Sequence, residues 1–259
     1  MTPPSTDPTV PVGDTVTAET RRAELARRLA AVRERIAAAC AAAGRDPDEV
    51  SLLAVTKTVP AHDVALLVDL GLDAFGENRV QEAMAKVAEV AALRPAARIR
   101  WHLVGRLQRN KARAAVQWAH RVESVDSTRL ADALDRAVRR ALDEGRRAGP
   151  LSVLVQYSVD GDPNRGGAPD GVIDKLADHV ATLPGLRLDG VMAVAPLHAD
   201  PERAFAAIAA AAARIRSAHP DAAILSAGMS GDLEVAIRYG SHVVRVGPAL
   251  VGERPIASP

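Results

Sequence analysis

A lysine at the end of an apolar run is the first candidate for chemistry in this sequence. Lys57 follows SLLAVT, residues 51–56, a run typical of a buried strand. Burial and nearby cations favour the free amine of a lysine, and a free amine can form an imine with an aldehyde. Lys57 is therefore a candidate Schiff-base lysine. The alternative is a lysine that reaches solvent or pairs with Glu77 for structural reasons.

Residues 225–232, LSAGMSGD, predict an anion site. A short strand leads into a turn of small residues, and an amphipathic segment follows. The hydroxyl groups of Ser226 and Ser230 and the backbone N–H groups around Met229 are suitable donors to a phosphate. The alternative is an ordinary helix start, with Ser230 as N-cap and Asp232 in the first turn.

The segment VVRVGPALVGERP, residues 243–255, adds two candidates. Gly247 would allow close backbone approach to a ligand, and Arg245 would reach the same place from the end of a strand. Arg245 could instead pair with a core carboxylate such as Glu77. His102 also falls near a strand end, but a lone histidine on a strand is more often a hydrogen-bonded core residue.

Several other kinds of site find no support in the sequence. It contains no HExxH, CxxC, GxSxG or Walker A motif, and its remaining histidines follow no ligand spacing. No pair of carboxylates has a spacing that points to glycoside hydrolysis. We therefore predict no metal site.

The elements that must position these residues follow a regular alternation. Short apolar segments alternate with amphipathic segments whose apolar residues recur at helical spacing. The predicted strands are residues 51–57, 74–77, 100–104, 121–125, 152–158, 188–194, 223–226 and 243–246. Eight strand–helix units predict an α/β fold, a single (β/α)8 TIM-like barrel, in which function gathers at the C-terminal strand ends. An open doubly wound sheet would usually carry a glycine-rich turn after its first strand, where Lys57 stands here.

The two ends of the sequence differ in character. Residues 1–18 are rich in Pro, Thr and Asp, and we predict a disordered tail there, followed by one domain over residues 19–259. An extra N-terminal helix is expected from Thr17 or Thr20 to Gly44. The irregular stretch 159–170 is a candidate lid or ligand loop.

Charge and composition bear on the expected partners and cellular compartment of the protein. The formal net charge is +1, so nucleic acid and anionic membranes are not expected partners. No apolar run approaches the ~20 residues that span a bilayer. The start has no signal-peptide pattern, and Cys40 is the single cysteine, expected to be buried on a helix. We therefore expect a cytoplasmic protein.

Seven segments in register resemble the pyridoxal phosphate homeostasis protein family. They are AVTKTVP, FGENRVQE, WHLVGRLQRNK, ESVDS, GLRLDGVMAVAP, LSAGMSGD and RVGPALVGER, and the resemblance runs from about residue 20 onward. It implies a barrel of the alanine racemase N-terminal domain type that binds pyridoxal 5′-phosphate (PLP). It also implies a role in intracellular PLP homeostasis, holding PLP as a Schiff base without a turnover reaction.

The resemblance assigns roles to individual residues. Lys57 matches the Schiff-base lysine, and Arg245 matches the arginine that faces the pyridine nitrogen. The other expected cofactor contacts are Asn78 and Met192 in the pocket wall, and Ser226, Met229, Ser230 and Gly247 around the phosphate. His102 matches a position near the rim without a defined role.

The sequence departs from the family pattern in three places. Pro248 replaces a Ser or Thr, which removes a hydroxyl group and a backbone donor, so the phosphate site depends more on the turn around Met229. Val251-Gly252 replaces a final Phe-Gly, and Ala227 replaces a Met. None of these changes affects the imine.

Two alternatives to a PLP carrier remain at this point. A PLP-dependent amino-acid racemase needs a second base opposite Lys57, which in the alanine racemases is a tyrosine that comes through a second domain. Of the two tyrosines, Tyr157 should face outward if Gln156 faces inward, and Tyr239 lies near a helix end. A cofactor-free Schiff-base aldolase would not explain Arg245 or the phosphate turn. The expected partners are PLP itself and PLP-dependent enzymes lacking their cofactor, and a monomer is favoured.

Overall fold

The computed structural model describes residues 17–162 and 165–252, which contain a closed barrel of eight parallel strands. The strands are β1 (Ser51–Val55), β2 (Ala74–Glu77), β3 (Arg100–Leu103), β4 (Arg121–Val125), β5 (Leu151–Tyr157), β6 (Leu186–Ala193), β7 (Ile224–Ser226) and β8 (Val243–Val246). Each pairs with the next, and β8 closes the barrel against β1, with Ser51 opposite Val243. The predicted (β/α)8 barrel is confirmed, and the strand ends differ from prediction by no more than two residues.

A helix follows each strand, and one further helix precedes the barrel. The helices are α1 (Ala18–Ala42), α2 (Ala61–Asp69), α3 (Val80–Leu93), α4 (Ala112–Val116), α5 (Thr128–Asp143), α6 (Ile173–Ala181), α7 (Pro201–Ala218), α8 (Leu233–Arg238) and α9 (Pro248–Val251). Two short 3₁₀ turns, Pro47–Glu49 and Arg109–Lys111, precede β1 and α4. No helix of the described ranges combines the length and apolarity needed to cross a membrane.

The N-terminal helix α1 begins as the capping signals predict. The Thr17 hydroxyl accepts a hydrogen bond from the Thr20 backbone N–H, and Gly44 has a φ of 65° just after the helix ends. Residue 18 is thus already helical, although we placed it in the predicted tail. Residues 1–16 of that prediction lie outside the described residues.

The main core lies between the strands and the surrounding helices. Its members are aliphatic for the most part, since the sequence has two Phe and two Trp. Helix α1 packs beside α2, α8 and α9, and buries Leu25, Leu29 and Cys40 in a second cluster with residues of β1 and β8. The extra helix is therefore part of the outer layer that supports the β8–β1 seam.

Candidate functional site

A cavity of about 330 Å³ opens at the C-terminal ends of the strands. It is lined by Val55, Lys57, Asn78, Val104, Met192, Val194, Met229, Ser230, Gly231, Arg245, Gly247 and Pro248. Seven of the eight residues predicted for the cofactor site line this cavity, and Ser226 is the exception. The barrel thus brings together residues that are separated by up to 190 positions in the sequence.

Lys57 lies in the turn between β1 and α2, two residues beyond the end of the strand. Its side chain is exposed, and not buried as the preceding apolar run predicted. A second, larger cavity of about 850 Å³ between this turn and α1 is also lined by Lys57. The next residue, Thr58, has a φ of 66°, in the left-handed region that β-branched residues rarely adopt. Because the Lys57 side chain is exposed, its amine is accessible from solvent.

The sequence allowed Glu77 as an alternative partner for Lys57 and for Arg245. Glu77 pairs with neither of them. Its carboxylate pairs with the buried Lys86 at 2.7 Å and accepts a hydrogen bond from the Thr56 hydroxyl at 2.7 Å. Lys86 also donates to the backbone carbonyl of Thr56 at 2.6 Å. These three side chains fix the backbone next to Lys57, and the sequence pattern gave no sign of Lys86, which lies within an amphipathic helix.

The turn after β7 presents backbone donors to the cavity. The N–H groups of Ser230 and Gly231 donate to no acceptor among the described residues, whereas that of Met229 donates to the Asp232 carboxylate at 2.6 Å. Asp232, and not Ser230, is the residue before α8. The alternative of an ordinary serine-capped helix is therefore wrong. Two backbone donors and the Ser230 hydroxyl remain available to an anion.

The β8 end contributes a cation and a wall formed by Gly247 and Pro248. Arg245 is buried, and its Nη2 donates to the Ala193 carbonyl at 2.8 Å. Burial lowers the pKa of Arg245 from its usual value, while the charges of Glu123 and Asp232 oppose this effect. Gly247 and Pro248 complete the wall, and Pro248 starts α9 without offering an N–H group.

Ser226 is placed differently from the prediction. Its side chain is fully buried, and its hydroxyl donates to the Glu123 carboxylate at 2.6 Å while accepting from Arg245 at 2.9 Å. The single hydroxyl proton is therefore committed to Glu123. In this arrangement Ser226 contacts Arg245, and a direct hydrogen bond to a phosphate is not available to it.

His102 lies inside the barrel and away from the mouth. Its Nδ1 is 2.7 Å from the Glu123 carboxylate, and its ring lines a small cavity of about 170 Å³ together with Glu49, Arg121 and His242. These three residues lie at or just before the N-terminal ends of strands. The expectation that His102 stands near the rim is therefore wrong, and the reading as a hydrogen-bonded core histidine is right.

Neither tyrosine lines the mouth cavity. Tyr157 packs into the core between strands and helices, whereas the adjacent Gln156 donates to the Arg165 carbonyl at 3.0 Å. The Tyr239 hydroxyl donates to the Glu202 carboxylate at 2.9 Å on the outer surface. The strand alternation expected for Gln156 and Tyr157 is consistent with these placements.

The loop over residues 159–170 folds back on the end of β5. The Ala168 N–H donates to the Gln156 carbonyl at 2.7 Å, and the Ser158 N–H donates to the Ala168 carbonyl at 2.9 Å. Its described residues, which exclude 163 and 164, do not line the mouth cavity. Within the described ranges, no group of three or more His, Cys, Asp or Glu side chains is arranged to hold a metal ion.

Sequence comparisons agree with this architecture. The sequence profile of the alanine racemase N-terminal domain matches residues 28–255. The pyridoxal phosphate homeostasis protein of Mycobacterium tuberculosis (strain H37Rv) is 50% identical over 248 residues, covering 92% of this chain and 96% of that protein. The protein of the same name from Escherichia coli (strain K12) is 38% identical over 237 residues, covering 89% and 97%.

Solved structures support the same relationship. PipY of Synechococcus elongatus, with PLP bound, superposes with a TM-score of 0.73 at 33% identity, covering 88% of this chain and 100% of that one. The alanine racemase of Corynebacterium glutamicum has a TM-score of 0.66 at 17% identity, covering 92% and 63%, which concerns the fold alone. The chain belongs to the pyridoxal phosphate homeostasis protein family, and its barrel is of the alanine racemase N-terminal domain type.

Proposed function

We propose that this protein binds PLP in the mouth cavity, holds it as a Schiff base on Lys57, and serves intracellular PLP homeostasis without a turnover reaction. One observation carries the proposal. The Lys57 amine, the Arg245 guanidinium and the free N–H groups of Ser230 and Gly231 line one cavity of about 330 Å³. These are the groups that an aldehyde, a pyridine nitrogen and a phosphate require.

The remaining lining fits the cofactor's ring. Val55, Val104, Met192 and Val194 supply apolar walls, and Asn78 adds a polar group. The volume lies near the lower end of the range for small-molecule sites, which begins at about 300 Å³. PLP would supply an aldehyde and a conjugated ring. The chain's own residues tether the aldehyde carbon, face the ring nitrogen and bind the phosphate.

Two features favour a carrier over a racemase. An arginine beside the pyridine nitrogen keeps that nitrogen unprotonated, which weakens the ring as an electron sink. A racemase also needs a base on each face of the substrate carbon, and neither Tyr157 nor Tyr239 lines the cavity. The exposed position of Lys57 is suited to loading and release of the cofactor.

The test of the tether is a visible absorbance spectrum of purified protein mixed with PLP, before and after hydroxylamine, which strips an imine-bound aldehyde. The wild-type protein should show an imine band that hydroxylamine removes, and Lys57→Ala should lack it. Lys175→Ala, which changes an exposed lysine on α6, is the matched control and should retain the band. An intact band in Lys57→Ala would refute the assignment.

The racemase alternative is tested by incubating the loaded protein with L-alanine and other amino acids, followed by chiral chromatography. We expect no sustained racemisation, and steady turnover by pure protein would overturn the carrier proposal. The cofactor-free aldolase alternative predicts that added PLP leaves no imine band at all. One absorbance spectrum therefore distinguishes the cofactor-free aldolase from the PLP carrier and from the PLP-dependent racemase.

We further propose a cytoplasmic monomer that supplies PLP to enzymes lacking their cofactor. Cys40, the single cysteine, is a buried free thiol, which is consistent with a reducing compartment. The loaded protein should activate a PLP-dependent enzyme from which the cofactor has been removed. Sedimentation should give the mass of one chain, and a stable dimer would contradict that part of the proposal.

A further inference from the structure

Arg245 is a buried cation without a carboxylate directly beside it. Its guanidinium donates to the Ser226 hydroxyl at 2.9 Å and to the Ala193 carbonyl at 2.8 Å, and forms no ion pair with the other described residues. Both acceptors are neutral. A buried charge normally requires a counter-charge. The counter-charge of Arg245 must therefore lie beyond its direct hydrogen-bond partners, and the next group along is the partner of Ser226.

Glu123 supplies that counter-charge through Ser226. Its side chain is fully buried in the barrel, and its two oxygens accept from the Ser226 hydroxyl at 2.6 Å and from His102 at 2.7 Å. Burial alone raises the pKa of Glu123. The hydrogen bond and charge of His102 and the charge of Arg245 outweigh burial, so the pKa lies below its ordinary value.

The Arg245 guanidinium gives the chain of hydrogen bonds one direction. Because a guanidinium can only donate, the Ser226 oxygen accepts from Arg245, and the Ser226 hydroxyl proton is left to donate to the Glu123 carboxylate. His102 orients the carboxylate from the other side. Arg245 is thereby held between Ser226 and the Ala193 carbonyl, in the wall of the mouth cavity.

We propose that Glu123 and Ser226 are positioning residues of the cofactor site, which hold the Arg245 guanidinium directed at the place of the pyridine nitrogen. This inference rests on the proposed binding of PLP in the mouth cavity. It gives Ser226 a role in place of the phosphate contact expected from sequence. It also gives Glu123 a role that the sequence did not reveal.

A second buried network provides a matched comparison. Asp189 on β6 pairs with Arg121 at 2.9 Å and with Arg187 at 2.6 Å, and it accepts from the Ser152 hydroxyl, so carboxylate, serine and arginine meet again away from the mouth. None of these four residues lines the mouth cavity. A purely structural role for Glu123 predicts that Glu123→Gln and Asp189→Asn behave alike, whereas positioning of Arg245 predicts that they differ in cofactor binding.

The experiment measures the PLP dissociation constant and the ratio of the two imine absorbance bands at one pH. Wild type, Glu123→Gln, Ser226→Ala and Asp189→Asn are compared at a temperature where circular dichroism shows the protein folded. We expect about tenfold weaker binding in Glu123→Gln and Ser226→Ala, since each loses a hydrogen bond that orders a charged group. The band ratio should change in Glu123→Gln, because the positive charge of Arg245 is then uncompensated. Asp189→Asn should stay within about twofold of wild type.

Unchanged affinity and spectrum in Glu123→Gln and Ser226→Ala would overturn the inference, as would an equal loss in Asp189→Asn. If Glu123→Gln does not fold, Ser226→Ala decides the matter, because it adds no volume and leaves both charges in place. Failure of the wild-type protein to bind PLP would instead refute the proposed function. The two failures are therefore distinguishable.

Discussion

The ammonium group of Lys86 lies 2.7 Å from the carboxylate of Glu77, and both side chains are buried next to the strand ends that carry Lys57 and Asn78. The pair spans nine residues of sequence and joins α3 to β2. Lys86 also holds the Thr56 carbonyl, so the pair connects helix packing to the backbone beside Lys57.

Removing one member of this pair should be costly. Lys86→Met leaves the Glu77 carboxylate buried and unpaired, so we expect the free energy of unfolding to fall by about 3–5 kcal/mol. Urea unfolding followed by circular dichroism measures it. Arg79→Ala, which breaks the exposed Arg79–Glu82 pair, is the control and should change stability little. A Lys86→Met protein as stable as wild type would show that Glu77 is satisfied by other groups.

Gly105 is required by close backbone approach. A Cβ at this position would lie 2.3 Å from the carbonyl oxygen of Asn78, whose side chain lines the cavity. We expect Gly105→Ala to cost about 1–3 kcal/mol of stability and to weaken PLP binding, because Asn78 must move. Unfolding and absorbance titrations measure the two effects.

Gly149→Ala provides the control for this prediction, since a Cβ there would meet open space. It should bind PLP like the wild-type protein. Normal PLP binding by Gly105→Ala would mean that the Asn78 segment shifts without disturbing the cavity.

Asp232 places a negative charge at the turn proposed to bind phosphate. Its carboxylate occupies the Met229 N–H, and an asparagine could accept the same hydrogen bond without the charge. We therefore expect Asp232→Asn to bind PLP about fivefold more tightly, the size expected for one partly screened repulsion. Asp178→Asn on α6 is the control. Weaker binding by Asp232→Asn would indicate that the carboxylate organises the turn in a way that an amide cannot.

Stability should fall as the pH drops through 6.5, the ordinary pKa of histidine. Burial, aided by the charges of nearby arginines, lowers the pKa of His242 below 6.5, and its Nδ1 accepts a hydrogen bond from the Leu225 N–H, which protonation would oppose. Below pH 6.5 the unfolded chain therefore binds more protons than the folded chain. The resulting loss of folding stability is absent above pH 6.5 and grows as the pH falls below it. His120 acts in the same direction, because burial also lowers its pKa.

Urea unfolding at pH about 7.5 and about 5.5 tests this dependence. His242→Asn should reduce the loss of stability between these conditions, and the exposed His198→Asn should leave it unchanged. Glu123 and Asp189, two buried carboxylates whose pKa is lowered, lose their contribution to stability at lower pH, below 4.5 for Glu123 and below 3.8 for Asp189. If the His242→Asn protein lost as much stability at the lower pH as the wild-type protein, groups other than His242 would be responsible for the pH dependence.

The sequence alone determined the barrel and the part of the site that depends on strand ends. Alternating apolar and amphipathic segments specify eight strand–helix units, and parallel strands in a barrel must place their C-terminal ends on one rim. Lys57, Asn78 and Arg245 could therefore be assigned to a common site from their positions along the chain. The N-cap of α8 was harder to assign between Ser230 and Asp232. The residue that caps a helix depends on the backbone conformation, which a run of small residues does not determine.

The tertiary structure decided which polar side chains meet inside the barrel. Glu123 and Ser226 are 103 residues apart and touch only because their side chains, from β4 and β7, meet inside the closed barrel. No local pattern distinguishes an inward carboxylate that balances Arg245 from one that faces solvent, and none showed that His102 lies below the mouth. Lys57 illustrates both limits: its position followed from the apolar run before it, whereas its exposure depended on where β1 ends and how the following turn leaves the barrel.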